Sequence, residues 1–326
     1  MSVAVSPSAA VASFRGCSRE EALELALTGD AAAVFASAAR LREAVFGRAV
    51  ELCAIINARS GNCAMDCRFC SQSRHNTTPI KSFPLLRREV LRERILELAA
   101  LPVRHIGLVT SGGALPEAEL KRLTAVVAEL APDLRGPGGG RLCGSLGRLS
   151  SPALEGARAA GLARFHHNLE TSERYYPRIC TTQRWEERLQ TVRRARAAGL
   201  EICCGGLFGL GESWEDRVDF ALRLRAEGVD TIPMNFLHPH PGTPLKHQAP
   251  LSPDEALRII AVFRHILPRA TLRVCGGRPL VLGNRQEELF AAGANALMTG
   301  DYLTTAGRAL DGDLAMIRAQ GLEVAA

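Results

Sequence analysis

The chain has 326 residues, 47% hydrophobic and 5% aromatic, with 40 Lys and Arg against 34 Asp and Glu, a formal net charge of +6. Such an aliphatic composition excludes a disordered chain, and the length suits one barrel of about 250 residues with extensions. The basic residues are dispersed along stretches such as 87–94 and 184–196, with no basic tail and no interleaved aromatics, so nucleic acid is not an expected partner. No apolar run reaches the roughly 18 residues of a membrane span. Residues 1–14 lack the basic start and apolar centre of a signal peptide, and a cytoplasmic protein is expected. Ten cysteines in that compartment point to metal or redox chemistry, not disulfides.

In chain order, residues 1–17 read as a disordered tail and 18–50 as an N-terminal helical extension. Ser18 is its candidate cap, with Glu20, Glu21 and Glu24 in its first turns. From 51 to 326, short apolar runs alternate with helical periods. The runs fall at 52–58, 104–110, 141–146, 163–169, 201–208, 231–237, 271–274 and 294–298. Helices are expected at 87–100, 116–131, 152–160, 185–198, 214–226, 253–266 and 286–292, with a last one after Thr304. Gly161, Gly199, Gly228 and Gly293 stop helices just before strands. Residues 134–140 form a glycine-rich loop too short to divide domains. This alternation predicts an α/β chain, a parallel (β/α)8 TIM-type barrel with an N-terminal helical extension and a C-terminal helix.

Just after the first strand stand Cys63, Cys67 and Cys70, spaced C-x3-C-x2-C. Three thiolates on one loop can each hold a different iron of a cubane and leave the fourth iron open. That open iron suits the amino and carboxylate groups of S-adenosylmethionine. A structural zinc site is the competing reading; it needs a fourth ligand, for which His75 is the candidate. The spacing, with Phe69 before the last cysteine, resembles the signature of the radical S-adenosylmethionine superfamily.

Further cysteines sit on other strands: Cys143, Cys203, Cys204 and Cys275. Alternation lets only one of Cys203 and Cys204 face the barrel interior, and it places Arg273 with Cys275. It also groups His166, Asn168 and Glu170. Cys17, Cys53 and Cys180 read as small buried fillers. Cys143, Cys203 and Cys275 together suggest a second, auxiliary iron–sulfur cluster.

Over roughly 52–321 the chain resembles the biotin synthase family. The resemblance is carried by the stretches 57–73, 143–150, 166–172, 179–182, 203–212, 233–236, 242–245, 273–278 and 291–295. It implies conversion of dethiobiotin to biotin. Two 5′-deoxyadenosyl radicals would remove hydrogen from two unactivated carbons, and sulfur would come from a sacrificial auxiliary cluster. It implies that Asn168, Glu170 and Arg188 contact S-adenosylmethionine, Arg188 through the methionyl carboxylate. His166, Asn235 and Arg273 fall to the substrate side. It further implies a flavodoxin or ferredoxin as electron donor and a homodimer. One departure stands out. The family's usual 2Fe–2S auxiliary cluster takes three cysteines and an arginine; Cys143, Cys203 and Arg273 match, but the fourth position is Gly107. With Cys275 and Cys204 nearby, a variant four-iron cluster on Cys143, Cys203 and Cys275 is expected. The alternatives are a hydrogenase-maturation or methylornithine-forming relative, a non-catalytic iron–sulfur carrier or sensor, and a zinc-binding module.

Overall fold

A computed structural model describes residues 14–135 and 140–325. Residues 1–13 of the expected tail and 136–139 of the glycine-rich loop lie outside the described residues. The Cys17 amide donates to the His265 carbonyl at 3.0 Å and its carbonyl accepts from Arg225 at 2.8 Å.

The chain enters through α1 (Arg19–Leu27) and α2 (Ala31–Phe46). The helical extension expected there consists of two helices. Ser18 caps the first in a reciprocal box with Glu21, and the Asp30 carboxylate, accepting from the Ala33 amide at 2.9 Å, starts the second after Gly29. Then follow β1 (Ala49–Arg59), α3 (Arg88–Ala99), β2 (His105–Thr110), α4 (Glu117–Leu130), β3 (Arg141–Ser145), α5 (Ser151–Ala159) and β4 (Arg164–His166). Next come α6 (Trp185–Ala197), β5 (Glu201–Cys203), β6 (Gly206–Phe208), α7 (Trp214–Ala226), β7 (Thr231–Phe236), α8 (Pro253–Ile266) and β8 (Thr271–Val274). The chain ends with α9 (Arg278–Leu282), α10 (Glu288–Ala291), β9 (Ala296–Met298), α11 (Leu310–Ala319) and β10 (Glu323–Val324).

All the ladders are parallel, and β9 pairs back onto β1, so the sheet closes into a barrel. Taking β5 and β6 as one interrupted stave, there are eight staves, as the alternation of strands and helices predicts. Short β10 adds to the start of β1 outside the ring, an element with no signal in the sequence.

The wall follows from the period-2 pattern of the strands. On β1, Leu52, Ile56 and Ala58 join the outer hydrophobic core beneath the helices, while Cys53 and Ile55 face the interior. Helix α8 is apolar almost all round, with Ile259, Ile260, Ala261, Val262 and Phe263 fully buried. A helix of that kind must be covered on both sides, and α2 supplies the outer cover: Val34 and Ala38 pack on Ala261.

The run 201–208 is not one strand. At its middle Gly205 turns out of the ladder: its amide donates to the Asn168 side-chain oxygen at 3.1 Å, and its carbonyl accepts from Leu169 and Glu170. A Cβ on Gly206 would overlap the Glu170 carbonyl and the Phe220 ring. Gly206→Ala is therefore expected to cost about 1–3 kcal/mol by overpacking and to displace Glu170, read by denaturant unfolding. The expected helix over 286–292 is also replaced. Arg278 and Pro279 start α9 directly after Gly277, a short 3-10 turn follows, and only the last turn, α10, falls where a helix was predicted.

Candidate active site

At the C-terminal end of β1, where barrel active sites are built, the chain enters the loop that carries Cys63, Cys67 and Cys70. Gly61 and Asn62 turn it with φ of 75° and 52°. The Gln72 side chain accepts from the Gly61 amide at 2.9 Å, and the Cys63 amide donates to the Gln72 carbonyl at 3.0 Å. Asn76 donates to the carbonyls of Cys67 and Cys70 at 3.1 and 2.8 Å, and the Ser73 hydroxyl to Met65 at 2.6 Å. The loop thus holds its thiols on its own backbone bracing. A second brace comes from 179–182: the Asp66 carboxylate accepts from the amides of Thr181 and Thr182 at 2.9 and 3.1 Å, and the Arg68 amide donates to Ile179.

Cys63 and Cys70 face a cavity of about 430 Å³ that fills the upper barrel. Cys67 lies behind them beside Cys180. Burial pushes the Cys70 thiol up to about 11, so it ligates when a metal displaces its proton. His75 turns its Nε2 to the Ala64 carbonyl at 3.1 Å, into the loop itself. Among the described residues no three His, Cys, Asp or Glu side chains converge as ligands of a single ion would; thiolates of a cubane each take a different iron.

The floor of the cavity carries the second thiol set. Cys143 on β3, Cys203 on β5 and Cys275 just past β8 all line it, as alternation predicts, whereas Cys204 points into the outer core. His166 Nδ1 lies 3.4 Å from the Cys203 sulfur. Burial pushes the Cys203 thiol up, but His166, Arg273 and Arg164 outweigh it and bring the group down to about 7. Burial holds Cys143 and Cys275 well above the usual thiol range. Arg273 donates to Glu51 at 2.9 Å, while its Nε, in a side chain 3% exposed, has no partner. Burial opposes its charge, and Cys53, Cys203 and Glu51 more than restore it. Below lies Arg164, which donates to His105 Nδ1 at 3.2 Å and leaves its own Nε unpartnered. Orphaned buried donors of this kind call for an anionic partner. The donor set of thiols and guanidinium fits an iron–sulfur cluster.

Between mouth and floor sit Asn168 and Glu170. Glu170 holds a left-handed backbone, φ 71°, a conformation costing on the order of 1–3 kcal/mol in a non-glycine residue. Ladder-like bonds maintain it: its amide donates to Gly205 at 3.2 Å and its carbonyl accepts from Leu207 at 2.8 Å. Arg188 of α6 does not line the cavity. It reaches in from behind, donating to the Asn168 carbonyl at 2.5 Å, to Gln183 at 3.0 Å and to the Glu170 carboxylate at 3.1 Å. Asn235 on β7 does line it, with its amide donating to Gly206 at 3.1 Å and accepting from Gly276 at 3.0 Å.

Two cysteines read as fillers are more than that. Cys53 faces the cavity, and the buried Cys180 thiol donates to Asp66 at 3.2 Å within the brace of the cysteine loop. Arg164 and the strap Tyr302–Thr305 over the mouth also escaped sequence reasoning. Alternation along β1 from Asn57 back to Cys53 is the signal that could have found the first. The strap, tied by Thr304 to Ser71 at 2.8 Å, left none.

A closed parallel barrel with a braced three-cysteine loop at its C-terminal mouth defines a radical S-adenosylmethionine enzyme, and the profile of the Radical SAM superfamily matches residues 58–224. The Biotin and Thiamin Synthesis associated domain matches residues 233–323. The chain is 62% identical over 291 residues to the biotin synthase of Desulfovibrio desulfuricans, covering 89% of this chain and 91% of that one. It is 47% identical to that of Nitratidesulfovibrio vulgaris, covering 95% and 87%, and 42% identical to that of Acetivibrio thermocellus, covering 94% of each. The chain belongs to the biotin synthase family. Methylornithine synthase shares the fold, with a TM-score of 0.82 over 98% of each chain at 19% identity. So does a maturase of the [FeFe]-hydrogenase, HydG, with 0.81 over 98% of this chain and 77% of that one at 17% identity. At those identities the likeness is one of fold alone, and the hydrogenase-maturation and methylornithine readings fall away beside the biotin synthase relatives.

Proposed function

We propose that this enzyme converts dethiobiotin to biotin and that the inserted sulfur comes from an auxiliary iron–sulfur cluster on the barrel floor. The observation that carries the reading is the placing of two thiol sets on one cavity, Cys63 and Cys70 at the mouth and Cys143, Cys203 and Cys275 at the floor. When bound, the 4Fe–4S cluster with S-adenosylmethionine supplies a 5′-deoxyadenosyl radical, and the auxiliary cluster, a 2Fe–2S or variant four-iron group, supplies sulfur.

The chain's own residues bind and orient. Such a radical attacks almost any C–H bond, so substrate is held in contact and water kept out by the barrel wall and the strap at Tyr302–Thr305. Asn235 keeps one N–H and one lone pair beyond its two backbone bonds, complementary to a ureido ring. His166 and Arg273 stand at the floor beside the thiols, where they would contact substrate or the auxiliary group. Asn168 and Glu170, which line the cavity, would hold S-adenosylmethionine, the carboxylate accepting from its ribose hydroxyls. Arg188 holds that carboxylate in place and, from behind the wall, would supply positive charge for the methionyl carboxylate. Losing the Glu170–Arg188 contact removes a charge-assisted bond worth about 1.5–3 kcal/mol. Arg188→Met is expected to weaken S-adenosylmethionine binding about 10–100-fold, measured by equilibrium dialysis on the reconstituted protein.

A reduced flavodoxin or ferredoxin is the proposed electron donor, a homodimer the proposed assembly and the cytoplasm the proposed compartment. No helix among the described residues is long and apolar enough to cross a membrane. The sulfur source is tested by reconstituting with sulfur-34 sulfide and running one turnover anaerobically. Label in biotin supports the reading; unlabelled biotin contradicts it.

A further inference from the structure

We infer that Cys53 is a thiolate ligand of the auxiliary cluster, replacing from β1 the cysteine that the family pattern places on β2. The inference rests on the auxiliary-cluster reading above and goes beyond its ligand set of Cys143, Cys203 and Cys275.

The register of the barrel makes the case. Cys53 pairs with His105, which pairs with Arg141, two residues short of Cys143. Cys143 pairs with Arg164, which pairs with Glu201, two short of Cys203. Cys203 pairs with Thr231, which pairs with Thr271, two short of Arg273. Arg273 pairs with Ala296, which pairs with Glu51, two short of Cys53. The path returns to its start after four steps of two, the shear of eight that closes an eight-stranded barrel. Inward side chains in such barrels form layers of four from alternate strands. Cys53, Cys143, Cys203 and Arg273 are therefore one complete layer, three thiols and a guanidinium. Cys275 stands two residues further along the Arg273 stave, facing the same cavity.

The β2 position is crowded for a visible reason. A Cβ on Gly107 would come to 3.0 Å from Cγ2 of Ile55, its register partner on β1. Ile55 thus crowds the place of the missing side chain, and the thiol stands two residues earlier on the same strand as Ile55. An independent observation points to a ligand here. The Nε of Arg273 is buried in this layer without a partner, and so, just below, is the Nε of Arg164. Both guanidinium groups offset the charge that ligating thiolates bring.

The test is Cys53→Ala in the full-length chain, reconstituted anaerobically and read by iron and sulfide analysis and Mössbauer spectroscopy. The cluster at Cys63, Cys67 and Cys70 is read separately by electron paramagnetic resonance of the reduced protein with S-adenosylmethionine. The expected result is a fall from about six irons per chain (a two-iron auxiliary group) or about eight (a four-iron one) to about four, with that resonance unchanged. Cys53→Ser, close in size, shows the same loss, and Cys53→Ala/Ile55→Ala/Gly107→Cys regains the iron. Wild-type iron, sulfide and Mössbauer spectra in Cys53→Ala overturn the inference. Loss of both clusters in Cys53→Ala and Cys53→Ser alike also overturns it, because a floor ligand leaves the mouth loop intact. Wild-type protein holding only about four irons overturns the auxiliary-cluster reading itself, and this ligand with it.

Discussion

Cys67→Ala is expected to abolish formation of both 5′-deoxyadenosine and biotin while leaving the barrel folded. Replacing partners that only orient a metal ligand commonly costs about 10–100-fold, and removing the ligand itself costs more, so turnover should fall below detection. The barrel survives because the loop is braced without this thiol. Asn76 holds the carbonyls of residues 67 and 70, Gln72 holds Gly61 and Cys63, and the Arg68 amide holds Ile179. A far-ultraviolet circular dichroism spectrum and thermal unfolding of the unloaded variant should match the unloaded parent. Unchanged 5′-deoxyadenosine production would remove Cys67 from the cluster.

Asp313→Ala is expected to cost about 3–5 kcal/mol of folding stability, the cost of stranding a buried charge. Arg278 and Asp313 are both fully buried and form a two-pronged pair at 2.9 and 3.0 Å. Burial opposes the Arg278 charge, and Asp313 more than restores it. The pair ties α11 to α9, directly after the Gly276–Gly277 turn that leaves the Cys275 floor. Arg278 Nη2 also lies 3.5 Å from the carbonyl of Met298, a second tie to the barrel wall. Urea unfolding of the apoprotein gives the number. A change within about 0.5 kcal/mol, the ordinary range for a surface substitution, would show that the pair is dispensable.

The barrel was legible because its signals are local. Apolar runs of strand length, helical periods and glycines that stop helices each lie within a few residues, and they locate every stave. Interruptions were not legible, because they are tertiary. Gly205 leaves its ladder to meet the Asn168 side chain, 37 residues away in sequence. The three-cysteine loop was read from spacing, since one short loop fixes its own geometry. Arg273 beside Cys275 followed from alternation, which also separated Cys203 from Cys204, whereas His166 beside Cys203 is set by the pairing of β4 with β5 and was not legible. Cys53 was passed over for a physical reason. Alternation says which face a residue is on, but only the stagger between strands says which four residues share a level, and stagger is set by pairing across the whole ring. Arg188 shows the opposite error of scale. Its role came from resemblance, and the structure gives it three partners behind the cavity wall instead of a place in that wall.

The most direct test of the account is an anaerobic assay of reconstituted protein with dethiobiotin, S-adenosylmethionine and a strong reductant, read by mass spectrometry. Biotin formed together with 5′-deoxyadenosine is the predicted result. Neither product, from protein whose clusters are verified spectroscopically, would contradict it.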